Sequence, residues 1–356
     1  MVPRSGVTKT QHCRSRSPYL SYSTHILRTG FPPSTRDHTQ LPSMSKVLAV
    51  FGATGQQGGS IVDFVLKDTQ LSKEYKVRGV TRDISSETAL RLKEKGVEVV
   101  QGDVTEPSSL NTALRGAHTV FALTAPAYGP ESRAKEFATG KAIANVAIAE
   151  EVQHIILSTL PNVSKMSGGK YTNVTGFDAK ADVEEYIRKL PIKSAFFAPA
   201  SFMQNFQTMP IKKNENGVHI FARPVTPSSL LPLIDIVADT GKFVGAILAS
   251  PDEYEGKTFC AATKVYSMTE IAGIISEVSG KEVKYVQVPP DQYRQTLSGR
   301  MGSYADVLVD MMLYQQDFGY FGPQTEELVQ WAVDNARGKV TGFKEYLEQH
   351  PLPSLQ

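Results

Sequence analysis

From residue 47 onward, short apolar runs alternate with stretches whose apolar positions recur every three to four residues. The runs at 47–51, 76–80, 97–100, 119–123 and 154–157 are rich in Val, Ile, Leu and Phe and are too short for helices, so they predict strands. The intervening stretches 60–67, 87–95, 108–114 and 131–150 carry their apolar residues on one helical face and predict helices. A further helix over 178–189 and a strand over 193–197 follow. Strand and helix alternating at this length predict a parallel sheet with helices on both faces. The unbroken apolar run Val47-Leu48-Ala49-Val50-Phe51 fits a strand covered on both sides. The expected class is therefore α/β, a doubly wound parallel sheet.

Past Pro199 the rhythm changes, because Pro210, Pro224, Pro227, Pro232, Pro251, Pro289 and Pro290 interrupt it. Helices are predicted over 235–249, 269–279, 291–298 and 326–336, and 258–262 reads as a strand-like run. This half predicts a smaller α+β lobe interleaved with the sheet domain, its loops closing over one edge of the sheet. The organisation expected is a basic, disordered extension over 1–43, a sheet domain over 44–200 and the lobe over 201–356.

Composition narrows the function. The chain has 356 residues, 41% hydrophobic and 21% charged, which is ordinary for a globular protein. Its net charge is +2, but residues 1–43 hold six basic side chains against the single acid Asp37. The remainder is mildly acidic, which argues against a direct nucleic-acid surface. No apolar run reaches the ~20 residues of a membrane span. The two cysteines, Cys13 and Cys260, and the scattered histidines offer neither a disulfide framework nor metal-ligand spacing. A reducing, cytoplasmic compartment is expected, with the nucleus open. The basic, acid-poor start also reads as a mitochondrial transit peptide, while Met44-Ser45-Lys46 stands where a compact cytosolic chain would begin.

The chemistry is concentrated after the predicted strands. The first ends in Gly52-Ala53-Thr54-Gly55-Gln56-Gln57-Gly58-Gly59, with glycines at 52, 55 and 58. Between an apolar strand and a helical pattern, this spacing is a dinucleotide-binding turn of the Rossmann type. Gly52 permits the tight turn, Gly55 the approach of backbone N–H groups to a pyrophosphate, and Gly58 close packing of helix on strand. Strand two ends in Gly79-Val80-Thr81-Arg82. A site specific for NAD carries an acid there. Arg82 pairs instead with a 2′-phosphate, so NADP(H) is the expected cofactor. Strand three ends in Gln101-Gly102-Asp103-Val104, where Asp103 either accepts from the adenine amino group or makes a cap or turn before Pro107. Strand four runs into Leu123-Thr124-Ala125-Pro126, small enough to pass close to the nicotinamide ribose.

These segments, with the run Gly176-Phe177-Asp178-Ala179-Lys180-Ala181-Asp182-Val183-Glu184-Glu185-Tyr186, resemble the NmrA-like family, atypical members of the short-chain dehydrogenase/reductase superfamily. The likeness extends over roughly 46–350. The segment 199–205, with Phe202 and Asn205, fits the same pattern, in which that loop lies along the nicotinamide end. The resemblance implies NADP(H) binding more securely than catalysis. The family includes sensors of redox or nitrogen status that act through partner proteins, and reductases of small aromatic or quinone-like substrates.

Carbonyl reduction in that superfamily uses Tyr-x-x-x-Lys on a helix, the Tyr donating the proton and the Lys holding the nicotinamide ribose. Lys180 fits the Lys position, but Gly176 stands where the Tyr would be. Ser158, Tyr171 and Tyr128 are the other groups able to act on a substrate, and Phe202, Met203 and Phe206 are candidate lining of an apolar pocket. Two functions are therefore expected. The first is an NADP(H)-binding sensor regulating a partner protein, including in transcription. The second is an NADPH-dependent reductase of a small aromatic, enone or quinone substrate. Self-association is left open.

Overall fold

The computed structural model describes residues 45–104, 106–126, 129 and 131–356. The reading of residues 1–43 and the candidate Tyr128 lie outside the described residues. In chain order the first half runs β1 (Lys46–Phe51), α1 (Gln56–Lys67), α2 (Leu71–Glu74), β2 (Tyr75–Thr81), α3 (Glu87–Glu94), β3 (Glu98–Gln101), α4 (Pro107–Leu114), β4 (Thr119–Ala122), α5 (Ser132–Ala149), β5 (His154–Ser158), α6 (Val163–Met166), α7 (Thr175–Ile187) and β6 (Lys193–Pro199). The second half runs β7 (Ser201–Phe202), β8 (Lys212–Lys213), β9 (His219–Arg223), β10 (Leu230–Ile234), α8 (Thr240–Ala249), β11 (Thr258–Ala261), β12 (Lys264–Ser267), α9 (Met268–Ser279), β13 (Val283–Gln287), α10 (Pro290–Met301), α11 (Tyr304–Phe318), α12 (Thr325–Asp334) and α13 (Phe343–Gln349).

Seven strands form one sheet in the order β11-β6-β5-β4-β1-β2-β3, and every neighbouring pair is parallel. This is the doubly wound Rossmann arrangement that the alternating pattern predicts. From β1 the chain winds outward through β2 to β3, then crosses to β4 on the other side of β1. The order therefore reverses between β1 and β4, the place where such sheets leave a crevice beyond the strand carboxyl ends. One face of the sheet buries Leu48, Val50, Phe197 and Phe259 against α1, α8 and α12. The other buries Ala49, Val120, Ile155 and Phe196 against α4, α5 and α7.

The second half adds two three-stranded sheets, β12-β10-β7 and β13-β9-β8, around a separate core of Met203, Phe206, Phe221, Leu233, Tyr266, Ile271 and Phe343. It also returns to the first sheet, since β11 pairs with β6 and α8 packs on α1. Several readings are corrected here. The helix expected from 235 begins at Thr240, because the carboxylate of Asp235 accepts from the N–H groups of Val237 and Ala238 and holds a turn ahead of it. α1 begins at Gln56 rather than 60, with Gly58 and Gly59 inside the helix. Pro232, read as an interruption, lies within β10, but beyond the two residues that pair with β7, so its missing N–H leaves no ladder bond unmade on that side. The pattern predicts none of the helices α2, α6, α11 and α13.

Candidate functional site

The carboxyl ends of β1, β2, β3 and β4 bring the four sequence-nominated segments to one edge of the sheet. At the end of β1, Gly52 has φ +64°, the left-handed region that an L side chain disfavours. The N–H of Gly55 donates to the carbonyl of Gly52 at 2.8 Å and closes the turn. A Cβ on Gly58 would stand 2.3 Å from the Gly52 carbonyl oxygen, so the helix seats on the turn only because that side chain is absent. Gly55 caps α1 without a side-chain hydrogen bond, and no acid stands in the first turn. No side chain of the helix terminus itself therefore accepts from the N–H groups of that turn. Together, the uncapped helix end and the glycine cradle fit a phosphate-bearing ligand. Ala53 is buried in the turn, Thr54 and Gln57 are half-buried, and Gln56 is exposed.

Arg82, one residue past β2, is exposed and has no hydrogen-bond or ion-pair partner among the described residues. Asp83 beside it accepts from the Oγ–H of Ser85 at 2.6 Å and from its N–H at 2.8 Å. Those bonds hold its carboxyl below the usual range. Past β3, Asp103 is half-buried and its backbone is clasped by Ser109, whose Oγ accepts from the Asp103 N–H at 2.8 Å. The cap of α4 is Glu106, three residues further on. Val104 is half-buried against the α4–α5 face.

Past β4, Thr124 is 2% exposed and joins a buried ionic cluster. Lys180, from the first half of α7, donates to the carbonyl of Thr124 at 3.0 Å and to its Oγ1 at 2.9 Å. It also pairs with Glu136 of α5 at 2.5 Å, and Thr124 Oγ1 donates to the same carboxylate at 2.7 Å. The side chain of Lys180 is 11% exposed and that of Glu136 1%. Glu136 was not singled out from the sequence. Its signal was available, because a carboxylate on the buried stripe Glu136, Gly140, Ile143, Ala144 and Ala147 demands a partner.

The other candidate groups are engaged too. Ser158 at the end of β5 donates its hydroxyl to Gln57 Oε1 at 2.8 Å, tying β5 to the first turn of α1. Tyr171 donates its phenol to Asp317 of α11 at 2.6 Å, and its ring is buried with Val163, Val174 and Tyr314. Burial first, and the neighbouring Asp317 next, push this phenol above its ordinary pKa. Gly176 is the second residue of α7, and a Cβ there would meet nothing within 4 Å. Phe202 is half-buried in β7, and Asn205 is exposed in the 3-10 turn Met203–Thr208. Met203 and Phe206 are buried in the lobe core, the Phe206 ring 4.8 Å from that of Phe343.

Two cavities, of about 360 and 560 Å³, adjoin none of these residues. One lies between α9, α13 and the carboxyl terminus, the other at the amino edge of the sheet beside Gln153 and Lys193. No cluster of three or more His, Cys, Asp or Glu able to hold a metal occurs among the described residues, and no helix among them is long and apolar enough to cross a membrane.

The sequence matches the NmrA-like family over residues 44–347. An NmrA-like family domain-containing protein of Dictyostelium discoideum is 30% identical over 317 residues, a match that covers 86% of this chain and 98% of that one. The NmrA-like family domain-containing oxidoreductase FrzB of Cladobotryum sp is 28% identical, over 87% of this chain and 96% of its own. Among solved structures, NmrA, a negative transcriptional regulator in complex with NADP, superposes with a TM-score of 0.71 at 22% identity, over 86% of this chain and 96% of its own. NmrA has also been crystallised with NAD. The triphenylmethane reductase of Citrobacter sp. complexed with NADP(H) superposes with a TM-score of 0.68 at 21% identity, over 85% and 99% of the two chains. At these identities the structural likenesses show the shared fold.

Proposed function

The chain belongs to the NmrA-like family, and from that premise we propose that it binds NADP(H) and reports the cofactor's redox state to a partner protein instead of reducing a substrate of its own. In this reading the turn from Gly52 through Ala53, Thr54, Gly55, Gln56 and Gln57 to Gly58 holds the pyrophosphate, and Arg82 takes the 2′-phosphate. Asp103 and Val104 border the adenine, while Thr124, Lys180, Phe202 and Asn205 border the nicotinamide end. The cofactor binding rests on the glycine cradle, the uncapped α1 terminus and the unpartnered guanidinium of Arg82. Bound NADPH would supply a hydride; what the chain's own residues supply for accepting substrate is the discriminating point.

One observation carries the sensor reading. The three described groups that would handle a proton are already committed inside the fold. All three N–H groups of Lys180 face acceptors, the hydroxyl of Ser158 faces Gln57, and the phenol of Tyr171 faces Asp317. With Gly176 in place of the usual tyrosine, no donor among them stands free to protonate a reduced carbonyl. The test is titration of the full chain with NADPH, NADP, NADH and NAD, followed by NADPH oxidation against quinones, enones and aromatic dyes. Tight NADPH binding without substrate-dependent oxidation is the expected result. Robust oxidation that Lys180→Met abolishes would overturn it.

A second reading is favoured by the relatives. FrzB bears the name oxidoreductase, and triphenylmethane reductase shares the fold. Under that reading the chain reduces a small aromatic, enone or quinone substrate, with Tyr128 as proton source. Turnover that survives Lys180→Met but is lost in Tyr128→Phe would select it.

A further inference from the structure

Glu136 is a carboxylate held inside the molecule, 1% exposed, where three elements meet. Its Oε1 receives both the Lys180 ammonium and the Thr124 hydroxyl, and the ammonium also holds the carbonyl of Thr124. The end of β4, the second turn of α5 and the middle of α7 are thereby joined in one ring of charge-assisted bonds. Such a ring is a poor device for stability alone. The attraction of a buried pair roughly offsets the loss of hydration of both ions, and two apolar side chains of similar volume hold helices together as well or better. What the ring supplies is definition. Thr124 is gripped at its side chain and its carbonyl together, which holds the backbone at the point where it leaves β4. With three hydrogen bonds inside the ring, Lys180 is part of this support.

We propose that Glu136 is the positioning residue of the nicotinamide half of the site, acting through Lys180 and Thr124 without touching the ligand itself. The proposal rests on the reading that this end of the sheet receives NADP(H), and it assigns the two halves of the dinucleotide to separate supports. The adenosine half depends on Arg82 and the glycine turn, and the nicotinamide half on the Glu136 ring.

The experiment compares NADPH with adenosine 2′,5′-bisphosphate, which carries the 2′-phosphate but no nicotinamide, on the full chain. The variants are Glu136→Gln and Glu136→Gln/Lys180→Met, the second leaving no charge buried alone, so that loss of folding in the first does not decide the matter. Both variants are expected to bind NADPH about tenfold more weakly and the bisphosphate within about twofold of wild type. The emission of bound NADPH should also shift toward that of free NADPH, because its nicotinamide is less firmly held. A purely structural role would weaken both ligands alike. That outcome in the double variant, or unchanged NADPH binding in both variants, overturns the proposal. Wild-type chain that binds neither ligand overturns the cofactor reading itself, and this assignment with it.

Discussion

Gly58 and Gly59 stand side by side in α1, yet only one of them has no room for a side chain. A Cβ at Gly58 would lie 2.3 Å from the Gly52 carbonyl oxygen, and one at Gly59 would lie 3.6 Å from that of Ala53. Gly58→Ala must push backbone against backbone, and we expect it to cost about 1–3 kcal/mol of stability and to abolish NADPH binding. Gly59→Ala meets ordinary contact within a helix and should be neutral or stabilising by up to about 1 kcal/mol. Thermal melts and NADPH titration of the pair check both. Arg82 carries the corresponding argument for selectivity. Its guanidinium has no described partner to release, so Arg82→Ala should weaken NADPH about 10- to 100-fold, the worth of a charge-assisted pair, and leave NADH unchanged. Equal losses for NADPH and NADH would place Arg82 outside the phosphate site.

At the level of elements, the amino edge of the main sheet holds an unsatisfied group. Thr119, His154 and Lys193 lie in register across β4, β5 and β6. His154 is buried with neither ring nitrogen hydrogen-bonded. Burial is the main cause of a pKa lowered to about 4, helped by the charges of Lys193 and His118 and opposed by Asp252. The unfolded chain therefore binds a proton on this ring before the folded chain does. Stability attributable to the neutral ring is full above pH ~6.5, falls as the pH drops toward 4, and is flat below that, a loss of about 3 kcal/mol across the window. His154→Phe should flatten this part of the pH–stability profile in denaturant titrations at pH 4.5 and pH 7. An unchanged slope would mean that the imidazole is hydrated in solution. Elements also show where sequence patterning works. The strands and helices predicted up to residue 199 emerge within a few positions of their bounds, because each must bury one stripe or one run against a common sheet, while the one-turn helices α2 and α6 were not predicted. The proline-rich half is harder to read. Its short strands β9, β10 and β13 are half-covered, and the placement of α11 follows from docking on the loop before α7 through Tyr171 and Asp317 rather than from its own periodicity.

For the whole molecule, the path of the chain decides what can stand alone. β11 completes the seven-stranded sheet beside β6, and Phe243, Val244 and Ile247 of α8 cover the same face as α1. A fragment ending at residue 200 would keep the glycine turn and Arg82 but expose that face and the β6 edge, so it should fail to unfold cooperatively. A sharp melt from the 44–200 fragment, monitored by circular dichroism, would contradict this and give the sheet domain independent standing. The sequence by itself determined the parallel α/β class, the glycine turn and the placement of Arg82 after strand two, since periodicity and local turn chemistry act over a few residues. Only the tertiary structure decided the state of the described groups nominated for catalysis, Lys180, Ser158 and Tyr171. Lys180 meets Glu136 across 44 positions, Ser158 meets Gln57 across 101, and Tyr171 meets Asp317 across 146. Pairings at such separations are set by how helices and strands pack, and no local pattern of residue types encodes which donor will find which acceptor.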